Sequence, residues 1–202
     1  MAVQLSDHFT YKRLFRFCIS PVIMMVFTSV YGVVDGFFVS NYVGKIPFAA
    51  LNLVMPFVMI LGGVGFMIGT GGSAIVAKTL GEGDRQRANR YFTMLIMLTA
   101  FAGVILSVIG IVLMRPIAHL LGATDAMIEY SVLYGRIVIG FNTAFMLQNV
   151  FQTFLTTAEK PKLGLASTVA AGVTNITLDA LFIAVFKWGI AGAALATGIS
   201  EC

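Results

Sequence analysis

The sequence predicts an all-α, polytopic membrane protein. Of 202 residues, 58% are hydrophobic and only 11% are charged, where soluble domains carry about 25% charged residues. The mean hydropathy is +0.93. The apolar residues also gather into runs long enough to cross a bilayer, which takes about 20 residues as helix. Five segments meet that length, at 16–41, 50–77, 91–114, 128–155 and 163–186. The net charge of +4 does not point to nucleic acid, because the basic residues sit at the ends of apolar runs and read as membrane orientation signals. The lipid bilayer is the expected partner.

The chain opens with MAVQLSDHFTYKRLFRF, so residues 1–15 form a polar, basic N-terminal segment. The apolar run behind it is too long for the core of a cleaved signal peptide. The first span, 16–41, contains Pro21, which should kink it and serve as a hinge. SNYVGKIPF, with a Gly and a Pro, turns the chain into the second span. That span holds GGVGFMIGTGGS at 62–73, where Gly63, Gly65 and Gly69 approach a dinucleotide fingerprint. Such a fingerprint needs a strand before it and a helix after it. Inside a membrane-length run the better reading is close helix packing, for which Gly65 and Gly69 supply a GxxxG pair.

LGEGDRQRAN connects the second and third spans. The fourth carries Arg136 and a polar series toward its inner end: Asn142, Gln148, Asn149 and Gln152. Those amides line a water-filled cleft or hydrogen-bond between helices. TTAEKPKLG leads into the fifth span, and GIAGAALATGIS begins a sixth at Gly189. Residues 189–202 are too few to cross, so the sixth span reads as truncated and the chain as a fragment. Residues 16–202 thus form one transmembrane bundle. Cys18 and Cys202 are too few and too distant to suggest a disulfide framework or a metal site.

Charge asymmetry sets the orientation. With the N-terminus cytoplasmic, nine basic residues lie inside (Lys12, Arg13, Arg16, Lys78, Arg85, Arg87, Arg90, Lys160, Lys162) and three outside (Lys45, Arg115, Lys187). Depth then follows from a rise of about 1.5 Å per residue. Asp35 lies about 9 Å from the outer end of the first span and Asp179 about 10 Å from that of the fifth. Arg136 and Thr197 fall about 12 to 13 Å down the fourth and sixth. Four polar groups from four helices thus share one level, where an Asp is unfavourable by about 2.5–3.5 kcal/mol on insertion scales.

Asn175 stands four residues before Asp179 and faces the same way. Two carboxylates and an amide oxygen make an oxygen-lined site suited to a hard cation. Two acids in one low-dielectric site also resist ionising together. The site therefore binds a small cation, H⁺ or Na⁺, as a coupling site does in a transporter. A structural role remains open for both acids, as snorkelling groups or as partners of Arg136. For Arg136 itself, counter-ion and substrate gate stand equally. Soft Met and aromatic residues suit a promiscuous cavity as well as bundle packing.

VVDGFFVSNYVG, LGEGDRQRA and LQNVFQTFLTTAEKPKLG, running into TNITLDALFIAVFKWGIAGAALAT, resemble the prokaryotic multidrug and toxic compound extrusion (MATE) transporters. In that family the last block typically reads N-I-x-L-D-P-L-F-I; here Ala180 replaces the proline, which should straighten the fifth span slightly. The resemblance implies the N-terminal six-helix lobe of a twelve-helix bundle in the plasma (cell inner) membrane, multi-pass, with a missing C-terminal lobe as partner. It implies an antiporter, not an enzyme, that exports small cationic lipophilic drugs or toxic compounds on the influx of Na⁺ or H⁺. No cofactor beyond that transported ion is called for. It also implies a cation site of Asp35, Asn175, Asp179 and Thr197, and bending at Pro21. Arg136, Asn142, Gln148 and Gln152 are candidates to line the cleft.

Two alternatives use the same acids or the same superfamily. An intramembrane aspartyl protease carries Y-D and G-x-G-D, whereas Asp35 follows Val34 and Asp179 follows Leu178. A lipid-linked-sugar flippase would need more cationic groups in its cleft than Arg136 alone.

Overall fold

The computed structural model describes residues 11–158 and 160–202. Among the described residues every regular element is helical. Helix α1, Tyr11–Phe38, widens at its end into a π-helical turn, Val39–Val43. It is followed by α2 (Lys45–Gly81), α3 (Arg85–Leu120), α4 (Asp125–Gly140) and α5 (Asn142–Thr157). Then come α6, Pro161–Asp179, which continues as a π-helical segment Ala180–Val185, and α7, Gly189–Ser200. The N-terminal segment 1–15 lies outside the described residues up to Tyr11, where α1 begins.

Local chemistry sets the helix ends. Gly44 N donates to Val39 O at 3.1 Å. With φ at 123°, Gly44 occupies backbone space that a side chain resists, and so redirects the chain into α2. Asp84 caps α3, its side chain accepting from Arg87 N at 2.9 Å. Pro161 opens α6, where its missing N–H is no loss. Lys187, at φ 56°, makes the tight turn before α7. Beside it Trp188 stacks on Phe182 with ring centroids 4.9 Å apart, and Phe186 lies 5.4 Å from the indole.

Among the described residues, four helical stretches are long and apolar enough to cross a membrane: Val22–Val43, Lys45–Gly81, Arg85–Leu120 and Pro161–Val185. The segment expected as one span at 128–155 is interrupted by a turn at Phe141, which divides it into α4 and α5, each 16 residues long. Phe141 leaves helical geometry with ψ near 0°, and its ring lies where a side chain at position 198 would stand, so Gly198 of α7 gives it room. The fifth span also departs from expectation. Without the family's proline it stays helical through Ala180, but widens into π geometry instead of simply straightening.

Helix α2 is central, packing on α3, α4 and most extensively on α5, while α1 packs on α6 and α7 on α4 and α6. Val54, Val58 and Leu61 of α2 meet Met114, Val138, Ile139 and Ala193 in the main core. Outward-facing Val104, Val108 and Val112 of α3 stay exposed, as lipid-facing positions do. Since lipid is as apolar as these side chains, close contact supplies the cohesion. The glycine run provides it: Gly65 and Gly69 lie against Met146 and Val150 of α5, and Gly72 against Leu95 of α3. Gly63 and Gly71 face open space.

Candidate functional site

Asp35 sits on α1 one turn before its π-helical end, and Asp179 is the last residue of α6 before the corresponding widening. Because α1 and α6 lie against each other, the two acids converge. Their carboxyl groups lie near enough to feel one another's charge. Both residues are buried, with 6% of Asp35 and 0% of Asp179 exposed. Asn175 stands one turn before Asp179 on the same face and is 1% exposed. Half-buried Thr197 reaches in from α7. A cavity of about 860 Å³ is bordered by Asp35, Asn175 and Thr197, together with Tyr31, Asn149 and Glu201.

The acceptor balance of this site is unusual. Asp35 Oδ1, Asn175 Oδ1 and both carboxyl oxygens of Asp179 are buried without a hydrogen-bond partner. Leaving such a group unsatisfied costs about 1–3 kcal/mol, and more when it is charged. Four neighbouring oxygens in that condition suit a positively charged visitor, a proton or a hard cation with oxygen preferences. No ion pair among the described residues neutralises them.

Two residues join the site that the sequence reading did not single out. Tyr134 of α4 is fully buried beside Thr197, and its hydroxyl has no hydrogen-bond partner among the described residues. It lies about 9 Å down the fourth apolar run, at the depth of the acids. Glu201 follows Thr197 by four residues, so helical periodicity was its available signal.

Other expected residues lie elsewhere. Arg136 does not join the acids: it is exposed, and its Nε donates to the Ile111 carbonyl of α3 at 3.3 Å. Depth places a residue along a helix but not around it, and Arg136 shares its level with Asp35 while facing α3. Asn142 is buried at the start of α5 and donates to Met146 Sδ at 3.4 Å, a contact within its own helix. Gln148 and Gln152 border a second cavity of about 710 Å³ between α5, α6 and α7. Gln152 also donates to Thr168 Oγ1 at 2.7 Å, tying α5 to α6. Pro21 falls within α1, and its side chain lies outside the described residues.

An all-helical bundle with membrane-length apolar helices defines the class of polytopic membrane proteins. Within that class the chain belongs to the MatE family, whose sequence pattern matches residues 21–181. It is similar to the multidrug export protein MepA of Staphylococcus saprophyticus, with 26% identity over 191 residues, 95% of this chain and 42% of that protein. MepA of Staphylococcus aureus is 24% identical over 195 residues, again 42% of its length. A crystal structure of MATE in the bent conformation superposes with a TM-score of 0.86 at 25% identity, covering 94% of this chain and 42% of the other. A MOP superfamily transporter from Pyrococcus furiosus gives a TM-score of 0.83 at 25% identity, over 92% of this chain and 41% of that one. The chain thus spans less than half the length of its relatives, and its fold is the N-terminal lobe of the MATE architecture.

Proposed function

We propose that this chain is the ion-coupling lobe of a multidrug exporter. Asp35, Asp179, Asn175 and Thr197 take up the driving cation, H⁺ or Na⁺, and its release inside accompanies export of a cationic, lipophilic compound. The observation that carries this is the buried meeting of carboxyls from α1 and α6 with their oxygens left unpartnered. A proton taken up by one carboxyl group would let the two acids hydrogen-bond to each other. Sodium would instead part the two groups and draw oxygens from both, with Asn175 and Thr197 completing its shell. Either cargo binds α1 and α6 together more tightly than the empty pair would hold, and so biases helix position.

The nine-to-three distribution of basic residues supports a cytoplasmic N-terminus in the plasma membrane, an orientation in which the pair would lie in the outer half of the bilayer. Among the described residues bordering the 860 Å³ cavity there is no Lys or Arg. That favours a positively charged cargo over the anionic headgroup a lipid-linked-sugar flippase would hold.

The test uses the complete protein in vesicles with an imposed pH or Na⁺ gradient. Asp35→Asn and Asp179→Asn should each abolish uphill extrusion of ethidium while leaving membrane insertion intact. Extrusion at the parental rate in both variants would show that the acids do not couple the ion.

A further inference from the structure

Three helices carry the lining of the acid site onward along the bundle, each after an interval of seven residues. On α1, Asp35 is preceded by Thr28; on α6, Asn175 is preceded by Thr168; on α5, Asn149 is followed by Thr156. Seven residues are two helical turns, so each pair shares a helix face and is separated by about 10 Å along the axis. With the N-terminus inside, all three steps run toward the cytoplasm. The outer members border the 860 Å³ cavity. The inner members border another of about 670 Å³, to which α2 adds Phe66 and Thr70. Thr28 and Ser29 border both.

The inner chamber has a chemistry of its own. Seven of its bordering residues carry hydroxyl groups, and among the described residues bordering it none is charged. A hydroxyl has one proton to donate and two lone pairs with which to accept. The protons are already committed. Thr70 Oγ1 donates to Phe66 O at 2.9 Å, Thr156 Oγ1 to Gln152 O at 3.1 Å, and Thr168 Oγ1 to Gly164 O at 3.0 Å. Ser29, Thr153 and Thr157 likewise donate to the carbonyl one turn back. What these groups offer the chamber is therefore acceptor capacity. Neutral oxygens replace part of a cation's hydration shell yet hold the ion weakly enough to release it. A single threonine bonded back to its own helix needs no function. The indication lies in the convergence: such groups from four helices meet below the buried, unpartnered Oδ1 atoms of Asp35 and Asn175.

We propose that this hydroxyl-lined chamber is the passage by which the driving cation, hydrated H⁺ or Na⁺, leaves the acid pair for the cytoplasm. The proposal rests on the exporter reading above and adds the route to the site. The carboxyls hold the ion, and the neutral oxygens below them lead it away.

The test measures ethidium-evoked ion flux and ethidium binding, with the complete protein in vesicles under an imposed pH or Na⁺ gradient. The variant combines Thr70→Val and Thr156→Val on opposite walls. Among the described residues both hydroxyls donate only within their own helices, so the near-isosteric change breaks no bond between helices. Ion flux should fall about tenfold, as expected for lost contacts to a charged group, while ethidium affinity stays at the parental value. Thr70→Ser with Thr156→Ser, which keeps both oxygens, should restore most of the flux. Parental flux in the valine variant, with Asp179→Asn still abolishing it, would overturn the passage and leave the coupling proposal standing. Weakened ethidium binding at parental flux would assign the chamber to the exported compound and equally overturn it. A slowed flux that serine does not restore would mark a packing defect and overturn it as well. Parental flux in Asp179→Asn and Asp35→Asn would instead remove the coupling proposal, and the passage with it.

Discussion

Gly65→Ala tests how closely α2 and α5 are pressed together. A Cβ at Gly65 would stand 2.7 Å from Met146 Cα and 2.8 Å from both its Cβ and its carbonyl oxygen. Non-bonded carbons settle at about 3.5–4.0 Å, so the helices would have to separate by about 1 Å. Backbone atoms in a packed helix have no rotamer by which to step aside. Forcing a methyl group into such a contact costs about 1–3 kcal/mol. The control is Gly63→Ala, two residues away on the same helix, where an added Cβ meets nothing within 4 Å. Both variants gain the same helix propensity, about 0.8–1 kcal/mol. Their difference therefore isolates the steric contribution and corresponds to roughly a 5- to 150-fold change in the folded-to-unfolded ratio. The assay is denaturant titration of the purified protein in detergent micelles, followed by loss of helical circular dichroism. Gly65→Ala should unfold at clearly lower denaturant than Gly63→Ala. Equal midpoints would refute the close approach of the two helices.

Two further outcomes follow at the ends of α3. Asp84→Ala removes the carboxylate that accepts from Arg87 N at 2.9 Å, and should destabilise the protein by about 1 kcal/mol in the same titration. Asp84→Asn should keep most of that loss from appearing, because an amide oxygen caps as well. At the other end, Arg115 donates to Glu129 at 2.7 Å, but both side chains are exposed. A double-mutant cycle with Arg115→Ala and Glu129→Ala should find a coupling below about 1 kcal/mol. That coupling should fade as salt approaches about 1 M.

Hydropathy and charge placement made the helical class legible, because a membrane imposes length and composition on each crossing element. The acid pair was legible for a related reason. Asp35 and Asp179 are conspicuous in apolar runs, and counting residues from the span ends put them at one depth. Depth alone cannot assign azimuth, which explains Arg136: it shares the level of the acids yet hydrogen-bonds to Ile111 on α3. Tyr134 is apolar by most scales and so stayed hidden among core residues, although its hydroxyl lies at the site. The break at Phe141 was invisible for another reason. It depends on the space offered by Gly198, more than fifty positions later, and no local pattern around Gly140 and Asn142 encodes that. The π-helical ends likewise come from register shifts such as Phe186 N donating to Leu181 O at 2.9 Å, which apolar periodicity does not report.

The aromatic cluster after α6 has a practical consequence. Trp188 is the single tryptophan among these 202 residues, and it stacks on Phe182, three positions beyond Asp179. Indole emission shifts with local polarity and with the rings around it. The wavelength of light from this one side chain is therefore a built-in optical gauge of the α6–α7 turn, available without attaching a dye and, among these 202 residues, without a second indole to blur it.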